Sequence, residues 1–299
     1  MERRKYGNTD MSVSVLGFGG AEIGFQNADP AQVDRLLGSA LDAGLNVIDT
    51  AECYKNSEEL IGKSIRHRRS DYYLFTKCGH ASGLELPNWD PAMLEMSIDR
   101  SLKRLGTDYI DLIHLHSCSE EILRQGEVIE VLERAKRQGK TRYIGYSGDH
   151  TAALYAVQTG RFDSLMTSFN IADQEALDEI IPEAAARGMG VVIKRPVANV
   201  AWRHSSEPDP KAYEHAYWRR LQKLAYPFLQ ASIPEAVGYT LRYTLSAPGV
   251  HTAIVGTAKP ERWEENARLL QEGMLSPQQF AAIRERWKQA AEADWIGLE

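Results

Sequence analysis

Polar side chains that could cooperate in proton transfer stand at or just after the ends of short apolar runs. In chain order they are Asp49, Tyr54, Lys77 and the pair His114 and His116. An ammonium beside a phenol stabilises the phenolate and lowers the pKa of the phenol from ~10, and a carboxylate keeps the ammonium charged. A histidine beside the phenol can hold a substrate oxygen or help to relay the proton. This chemistry predicts a general acid that protonates an alkoxide.

The same residues include neither a nucleophile nor a metal cluster, so an alkoxide would have to arise by transfer of hydride to a carbonyl. Nicotinamide nucleotides supply hydride, and enzymes leave this kind of chemistry to a cofactor. We therefore expect a nicotinamide cofactor, a small-molecule carbonyl substrate and no metal.

Short β-rich runs alternate with amphipathic stretches along the chain. The strand-like runs cover residues 15–18, 47–49, 73–76, 110–114, 143–147, 164–169, 190–194 and 252–255. The helix-like stretches cover residues 30–43, 57–66, 91–105, 127–138, 151–158, 177–187, 234–246 and 260–270. Strict alternation of strands that are apolar on both faces predicts a parallel sheet covered by helices.

Eight even repeats favour a closed α/β architecture, the (β/α)8 TIM barrel, over a doubly wound sheet. A barrel would also gather the polar residues, because its active site lies at the C-terminal ends of the strands. Residues 2–14 predict an N-terminal β-hairpin with Asn8 at the turn, and residues 277–293 predict an extra C-terminal helix. The stretch 195–233 is a long insertion after the seventh strand, and connections of this length are usually functional. We expect one domain across residues 1–299.

The composition excludes several other classes of protein. Of 299 residues, 43% are hydrophobic and 25% charged, which is ordinary for a globular enzyme. The net charge of -6 argues against a nucleic-acid partner. No apolar run is long enough to predict a membrane span or a signal peptide, so we expect a cytoplasmic protein. The sequence does not indicate an oligomeric state.

A set of motifs covering nearly the whole chain resembles the aldo-keto reductase family. The motifs are LGFGG (16–20), NVIDTAECY, FTK, RSLKRLGTDYIDLIHLH, GKTRYIGYS and IVGTAKPERWEEN. The resemblance implies NADPH-dependent reduction of an aldehyde or ketone with Tyr54 as the acid, assisted by Asp49, Lys77 and His116. It selects His116 because that residue stands five positions after Asp111.

The resemblance also implies which residues hold NADP(H). They are Gly20, Ser147, Asn170, Lys194, Arg195, Gly256, Thr257, Lys259, Arg262, Glu265 and Asn266. A helix N-terminus with Lys259 and Arg262 suits the 2′-phosphate of NADP. Glu265 and Asn266 would face the adenine amine. The glycines of 16–20 are not a Rossmann fingerprint, because Glu22 takes the place of the third glycine.

Three positions depart from the pattern that is common in the family. Gly148 replaces the asparagine that often follows Ser147, and Met166 replaces a frequent glutamine. Lys194 stands where an aromatic ring usually stacks on the nicotinamide, so Lys194 or Arg195 could contact the pyrophosphate instead. The nicotinamide pocket is where this chain differs most from the family.

Aromatic side chains in loops after the strands are candidates for the substrate pocket. They are Phe25, Trp89, Trp202 and Trp218. The three cysteines, Cys53, Cys78 and Cys118, lack the spacing of a metal motif and are expected to fill tight positions near the barrel mouth. Two alternative functions fit the same motifs: a non-catalytic nicotinamide sensor, and an epimerase-like enzyme that recycles bound NADP.

Overall fold

The eight predicted strands form a closed parallel barrel in the computed structural model, which describes residues 1–298. Two short strands, β1 (Arg3–Lys5) and β2 (Ser12–Ser14), come first. The barrel strands are β3 (Leu16–Gly19), β4 (Val47–Asp49), β5 (Tyr73–Cys78), β6 (Ile110–His116), β7 (Thr141–Ser147), β8 (Ser164–Ser168), β9 (Gly190–Lys194) and β10 (Thr252–Gly256). Neighbours in the barrel follow chain order, and β10 pairs with β3 to close it. The predicted (β/α)8 barrel is confirmed.

Helices surround the barrel. They are α1 (Ala21–Phe25), α2 (Pro30–Asp42), α3 (Ser57–Ile65), α4 (Pro91–Leu105), α5 (Glu120–Gln125), α6 (Glu127–Arg137), α7 (His150–Gln158), α8 (Ile180–Ala186), α9 (His215–Leu224), α10 (Ile233–Ser246), α11 (Arg262–Leu269) and α12 (Pro277–Ala290). Asp29 and Asp90 cap α2 and α4 by accepting hydrogen bonds from first-turn N–H groups, and a proline opens each helix.

Three helix boundaries differ from the predicted ones by more than one residue. α11 begins at Arg262 rather than at residue 260, because the chain first makes a turn in which Arg262 N–H donates to Lys259 O. α8 begins three residues later than expected, after a separate 3-10 turn (Glu175–Leu177). α12 ends at Ala290, because the backbone becomes extended at Ala291.

The barrel interior is a small apolar core of its own. Its buried members are Tyr6, Met11, Val13, Val47, Phe75, Leu112, Met166 and Val192. Tyr6, Met11 and Val13 come from the antiparallel hairpin of β1 and β2, which is the predicted hairpin. Met166, one of the departures from the family pattern, is therefore a buried core residue of the barrel interior.

A larger apolar core fills the space between the barrel and the helices, with residues such as Leu36, Ile61, Leu94 and Leu132. These positions follow the 3.6-residue period of amphipathic helices. No helix within residues 1–298 is long and apolar enough to cross a membrane.

The insertion after β9 lies at the same end of the barrel as the C-termini of the strands. It contains α9 between two 3-10 segments, Ala198–Arg203 and Pro227–Gln230. Tyr217 of α9 donates a hydrogen bond to Asp173 Oδ2 (3.1 Å), in the loop after β8. Burial raises the pKa of Glu22 in α1, and the positive charge of Arg203, in the first 3-10 segment, opposes that rise. The insertion therefore lies beside the mouth of the barrel.

The segment after α12 folds back to the mouth at β8 and β9. The segment first packs against α12, where the rings of Trp287 and Trp295 lie 5.4 Å apart. Arg220 then donates to Ile296 O (2.8 Å), and Gly297 N–H donates to Glu175 Oε2 (2.6 Å). Residues 296–298 thus lie beside the C-terminal ends of β8 and β9.

Candidate active site

Asp49 and Lys77 form a buried ion pair at the ends of the neighbouring strands β4 and β5. Lys77 Nζ donates to Asp49 Oδ2 (2.6 Å) and to Thr50 O (2.8 Å), and both charged side chains are at most 2% exposed. Burial alone would lower the pKa of Lys77, but the attraction of Asp49 outweighs it and raises that pKa. Lys77 therefore stays an ammonium at neutral pH, as expected.

Tyr54 lies in the loop after β4, directly over this ion pair. Lys77 Nζ is 4.8 Å from the centre of the Tyr54 ring. The loop places the ring through turns in which Tyr54 N–H donates to Ala51 O and Ser57 N–H donates to Tyr54 O. A side chain at Gly24 would collide with Tyr54 O, so the close approach of α1 to this loop requires glycine. The phenol is half-buried at the mouth.

The pKa of Tyr54 is higher than expected from the sequence. Burial raises it to about 12, although the ammonium of Lys77 acts in the opposite direction. Lys77 does lower the pKa of Tyr54, as expected, but the loss of water around the phenolate raises it by more, so the pKa lies above ~10 rather than below it. Tyr54 is therefore fully protonated at neutral pH, the form that a proton donor requires.

His116 ends β6 and lies beside Tyr54, with the two rings 5.8 Å apart and nearly perpendicular. Burial, with the charge of Lys77 next in importance, lowers the pKa of His116 well below 6.5. The imidazole is therefore neutral. His114 lies one layer deeper in the barrel, where its Nε2 is 3.0 Å from Ser164 Oγ. The structure thus brings Asp49, Tyr54, Lys77 and His116 together and leaves His114 in the interior.

The opposite side of the mouth holds a second buried ion pair, between Lys194 and Asp149. Lys194 Nζ is 2.8 Å from Asp149 Oδ2. Asp149 Oδ1 also accepts hydrogen bonds from Ser168 N–H (2.6 Å) and from Thr167 Oγ1 (2.8 Å). These partners lower the pKa of Asp149 although burial opposes them. Lys194, at the position of the missing aromatic ring, is thus fixed by a carboxylate.

Arg195 and Asn170 are also engaged within the chain. Arg195 donates to Ser168 Oγ (3.0 Å), to Leu298 O and to the hydroxyl of Tyr213. Asn170 Nδ2 donates to Arg195 O (2.9 Å), which ties the end of β9 to the loop after β8. Ser147, at the end of β7, is buried at the same mouth.

The residues expected at the adenosine end lie around the turn between β10 and α11. Gly256 pairs with Gly19 of β3 and is exposed. Thr257 Oγ1 accepts a hydrogen bond from Lys259 N–H (3.0 Å), and the side chain of Lys259 is exposed. Arg262 and Glu265 form an exposed ion pair (3.0 Å), which a ligand could replace at small cost. Asn266 is mostly buried beside them.

Gly20 joins β3 to the catalytic strand. Its N–H donates to Asp49 O (2.7 Å), and its carbonyl accepts from Ser57 Oγ (2.7 Å). A side chain here would lie only 2.7 Å from Ser57 Oγ, so only glycine fits.

The first part of the insertion has an unusual backbone. Arg195, Ala198, Asn199 and Val200 all have φ between 44° and 56°, the left-handed region that β-branched residues such as Val200 avoid. Within residues 1–298, Asn199 Nδ2 and Trp202 Nε1 are buried donors with no hydrogen-bond partner. Strained backbone and unused donors cluster at binding sites, so this segment has the features of a ligand cradle.

The four aromatic candidates for the substrate pocket divide into two pairs. Phe25 lies 5.6 Å from the Tyr54 ring, and Trp89 lies 5.1 Å from His80, whose ring is 5.0 Å from His116. Trp202 and Trp218 belong to the insertion, where Trp218 Nε1 donates to His204 O (3.0 Å). Phe25 and Trp89 thus line the catalytic side of the mouth.

Asp149 and Glu52 are buried at the mouth but were not singled out in the sequence. Asp149 stands two positions after Ser147, so a search for polar residues just after the predicted strands could have found it. Glu52 accepts a hydrogen bond from His80 N–H (3.0 Å), and burial raises its pKa to about 8. Its burial depends on packing between β4, α3 and α4, which no local pattern indicates. Cys78 and Cys118 are buried in the outer core, whereas Cys53 is half-buried beside His116.

This chain is similar to known proteins in sequence and in fold. The profile of the Aldo/keto reductase family matches residues 15–288. An uncharacterized oxidoreductase of Bacillus subtilis, YqkF, is 30% identical over 97% of each chain. L-galactose dehydrogenase of Arabidopsis thaliana is 29% identical over 91% of this chain and 89% of the relative. The holo form of aldo-keto reductase AKR11C1 from Bacillus halodurans superimposes with a TM-score of 0.84 at 27% identity, over 99% of both chains.

Proposed function

Because this chain belongs to the Aldo/keto reductase family, we propose that it reduces an aldehyde or ketone with NADPH and that Tyr54 is the general acid. The observation that carries this proposal is the position of the protonated Tyr54 phenol, over the Lys77–Asp49 ion pair and beside neutral His116. A nicotinamide cofactor, when bound, supplies the hydride. The chain itself then has to orient the carbonyl and deliver one proton.

Proton delivery follows from the electrostatics of the site. Tyr54 holds its proton until negative charge develops on the substrate oxygen, because burial keeps its pKa near 12. Lys77 then favours transfer of the proton, since its ammonium stabilises the phenolate that remains. Asp49 keeps Lys77 charged and in place. The neutral imidazole of His116 offers an N–H donor to the same substrate oxygen.

The residues present fit a nucleotide across the strand ends. Ser147 would hold the nicotinamide end, Lys259 and Arg262 the 2′-phosphate, and Glu265 and Asn266 the adenine. The exposed cations Lys259 and Arg262 at the start of α11 are free to exchange partners. The buried unused donors of the insertion and its left-handed backbone give further places for an anionic ligand.

An epimerase-like enzyme that recycles NADP is a second candidate, favoured by one observation. The Lys194–Asp149 ion pair occupies the position of the aromatic ring that usually stacks on nicotinamide. Loss of NADPH absorbance with a panel of aldehydes and ketones distinguishes the candidates. Net oxidation of NADPH supports the reductase. An isomerised product without net oxidation of NADPH supports the recycling enzyme. If neither oxidation nor isomerisation is observed, the nicotinamide sensor is supported.

Tyr54→Phe tests the assigned acid, because it removes the hydroxyl and keeps the ring. We expect turnover to fall by ~10²-fold or more, the scale of general acid catalysis, while NADPH binding measured by fluorescence is retained. Tyr109→Phe is the matched control, since Tyr109 immediately precedes the first residue of β6 and lies at the other end of the barrel. Wild-type turnover in Tyr54→Phe would exclude Tyr54 as the acid.

A further inference from the structure

Three side chains with metal-binding atoms meet at the mouth beside Tyr54. Cys53 lies in the loop after β4, His80 in the loop after β5, and His116 at the end of β6. Their candidate ligand atoms all lie within 4.8 Å of one another, and each side chain is half-buried. Within residues 1–298, no other group of three or more His, Cys, Asp and Glu side chains has its candidate ligand atoms this close together. No sequence motif marks it, because the three residues come from three separate loops and strands.

The distances suit a small tetrahedral ion. Zinc lies ~2.3 Å from a cysteine sulfur and ~2.0–2.1 Å from an imidazole nitrogen, so tetrahedral geometry separates the two ligand atoms by about 3.6 Å. Cys53 Sγ lies 3.5 Å from His116 Nδ1, which matches that separation. Two imidazole nitrogens on one zinc ion lie about 3.3 Å apart. The third ligand atom, from His80, lies within 4.8 Å of both others, so side-chain rotation alone could close the triad.

The surroundings hold the backbone and the ring of His80 in place. Glu52 Oε1 accepts a hydrogen bond from the backbone N–H of His80 (3.0 Å), and Glu52 Oε2 is buried without a hydrogen-bond partner within residues 1–298. The ring of Trp89 packs against His80 on its other side. Asp49 also offsets the positive charge of Lys77 nearby.

We propose that Cys53, His80 and His116 bind a zinc ion, with the fourth coordination position open to the barrel mouth. One thiolate and two neutral imidazoles are ligands that zinc prefers, and three protein ligands with an open fourth position are a common zinc arrangement. On binding, the Cys53 thiol loses its proton to solvent and forms the S–Zn bond. The ion binds Nδ1 of His116 and lies in the mouth beside Tyr54, where the substrate oxygen would lie, so zinc inhibits the carbonyl reduction. The inhibition, unlike the binding, rests on the proposed function.

Cobalt(II) and zinc(II) titrations of the metal-free full chain test the binding directly. We expect about one cobalt ion per chain with the near-ultraviolet charge-transfer band of a cobalt–thiolate bond and the intense visible bands of a tetrahedral site. Zinc should displace cobalt and abolish both sets of bands. Absence of the charge-transfer band at excess cobalt would overturn the proposal without any variant, so failure of a variant to fold cannot hide the answer.

Variants then assign the ligands. Loss of an outer partner costs 10–100-fold in metal affinity, so Cys53→Ser and His80→Gln should each weaken zinc binding by at least about 100-fold. Cys118→Ser and the exposed His67→Gln are the matched controls and should bind zinc like the wild type. Zinc affinity that is unchanged in a folded His80→Gln, checked by circular dichroism, contradicts the site.

A kinetic arm separates this proposal from the proposed function. If the chain oxidises NADPH with a carbonyl substrate, the ratio of turnover with zinc to turnover without zinc should be far below one in the wild type and should rise toward one in His80→Gln. A zinc-insensitive reductase overturns the zinc proposal alone. A chain that binds zinc through these ligands but reduces no carbonyl overturns the proposed function alone.

Discussion

Replacing Lys77 by methionine removes one charge from the most buried ion pair at the active site. Methionine is unbranched, apolar and nearly as long as lysine, so the space around Tyr54 stays filled. The carboxylate of Asp49 then loses its contact at 2.6 Å, and its other oxygen, Oδ1, is already buried without a hydrogen-bond partner within residues 1–298. Lys77→Met therefore leaves an uncompensated charge in the barrel.

The size of the effect follows from that burial. Breaking a buried ion pair by removing one partner costs about 3–5 kcal/mol. A chain of 299 residues has an unfolding entropy of about 0.6 kcal/mol/K near the midpoint, so the melting temperature should fall by about 5–8 °C. Replacing both partners, in Asp49→Asn with Lys77→Met, should recover most of the loss, because a buried pair contributes little over neutral groups of the same shape.

The loss should also depend on pH. In Lys77→Met, no ammonium opposes the burial that raises the pKa of Asp49 above its unfolded value of ~3.9. A carboxyl group with a raised folded pKa has its full stability below the unfolded pKa and loses it as pH rises through the folded pKa. The deficit relative to wild type should therefore be small near pH ~4, grow as pH rises above that, and become constant above the folded pKa.

Thermal unfolding followed by circular dichroism from about pH 4 to pH 8 measures both effects. Arg124→Met is the matched control, because its ion pair with Glu120 is largely exposed and should contribute at most ~1 kcal/mol. A Lys77→Met variant that melts like the control would contradict the expected cost of the broken ion pair. A stability deficit that is the same at every pH would contradict the raised pKa of Asp49.

Three further predictions concern the cofactor, the insertion and a buried carboxyl. Arg262→Ala should weaken NADPH binding by about 1.5–3 kcal/mol and NADH binding far less in a fluorescence titration, because NADH lacks the 2′-phosphate; equal losses would show that Arg262 does not contact it. Trp202→Ala or Trp218→Ala should change the ranking of substrates by kcat/KM if the insertion forms the pocket, whereas a lower melting temperature with an unchanged ranking would restrict both residues to packing. Glu52→Gln should become more stable relative to wild type in urea unfolding as pH rises from about 6 to 9, because a buried carboxyl with a pKa of about 8 loses stability over that range; a constant difference would contradict the assigned pKa.

Local patterns in the sequence determined the barrel and the catalytic group. Strand-like runs and helix-like stretches each carry their own periodicity, and parallel strands joined by helices bring their C-terminal ends to one edge. Asp49, Lys77 and His116 end three neighbouring strands of the barrel, and Tyr54 follows the first of these. The order of the strands along the chain is therefore enough to bring these four side chains together.

Only the tertiary structure decided how these side chains behave. The sequence indicated that Lys77 lowers the pKa of Tyr54, which it does, but the net shift is upward because the folded chain excludes water from the phenol. Asp149 pairs with Lys194 across β7 and β9, which are separated in the barrel by β8, and Cys53 meets His116 63 residues further along the chain. Burial and contacts between distant segments depend on the packing of the whole barrel, so no local pattern contains them.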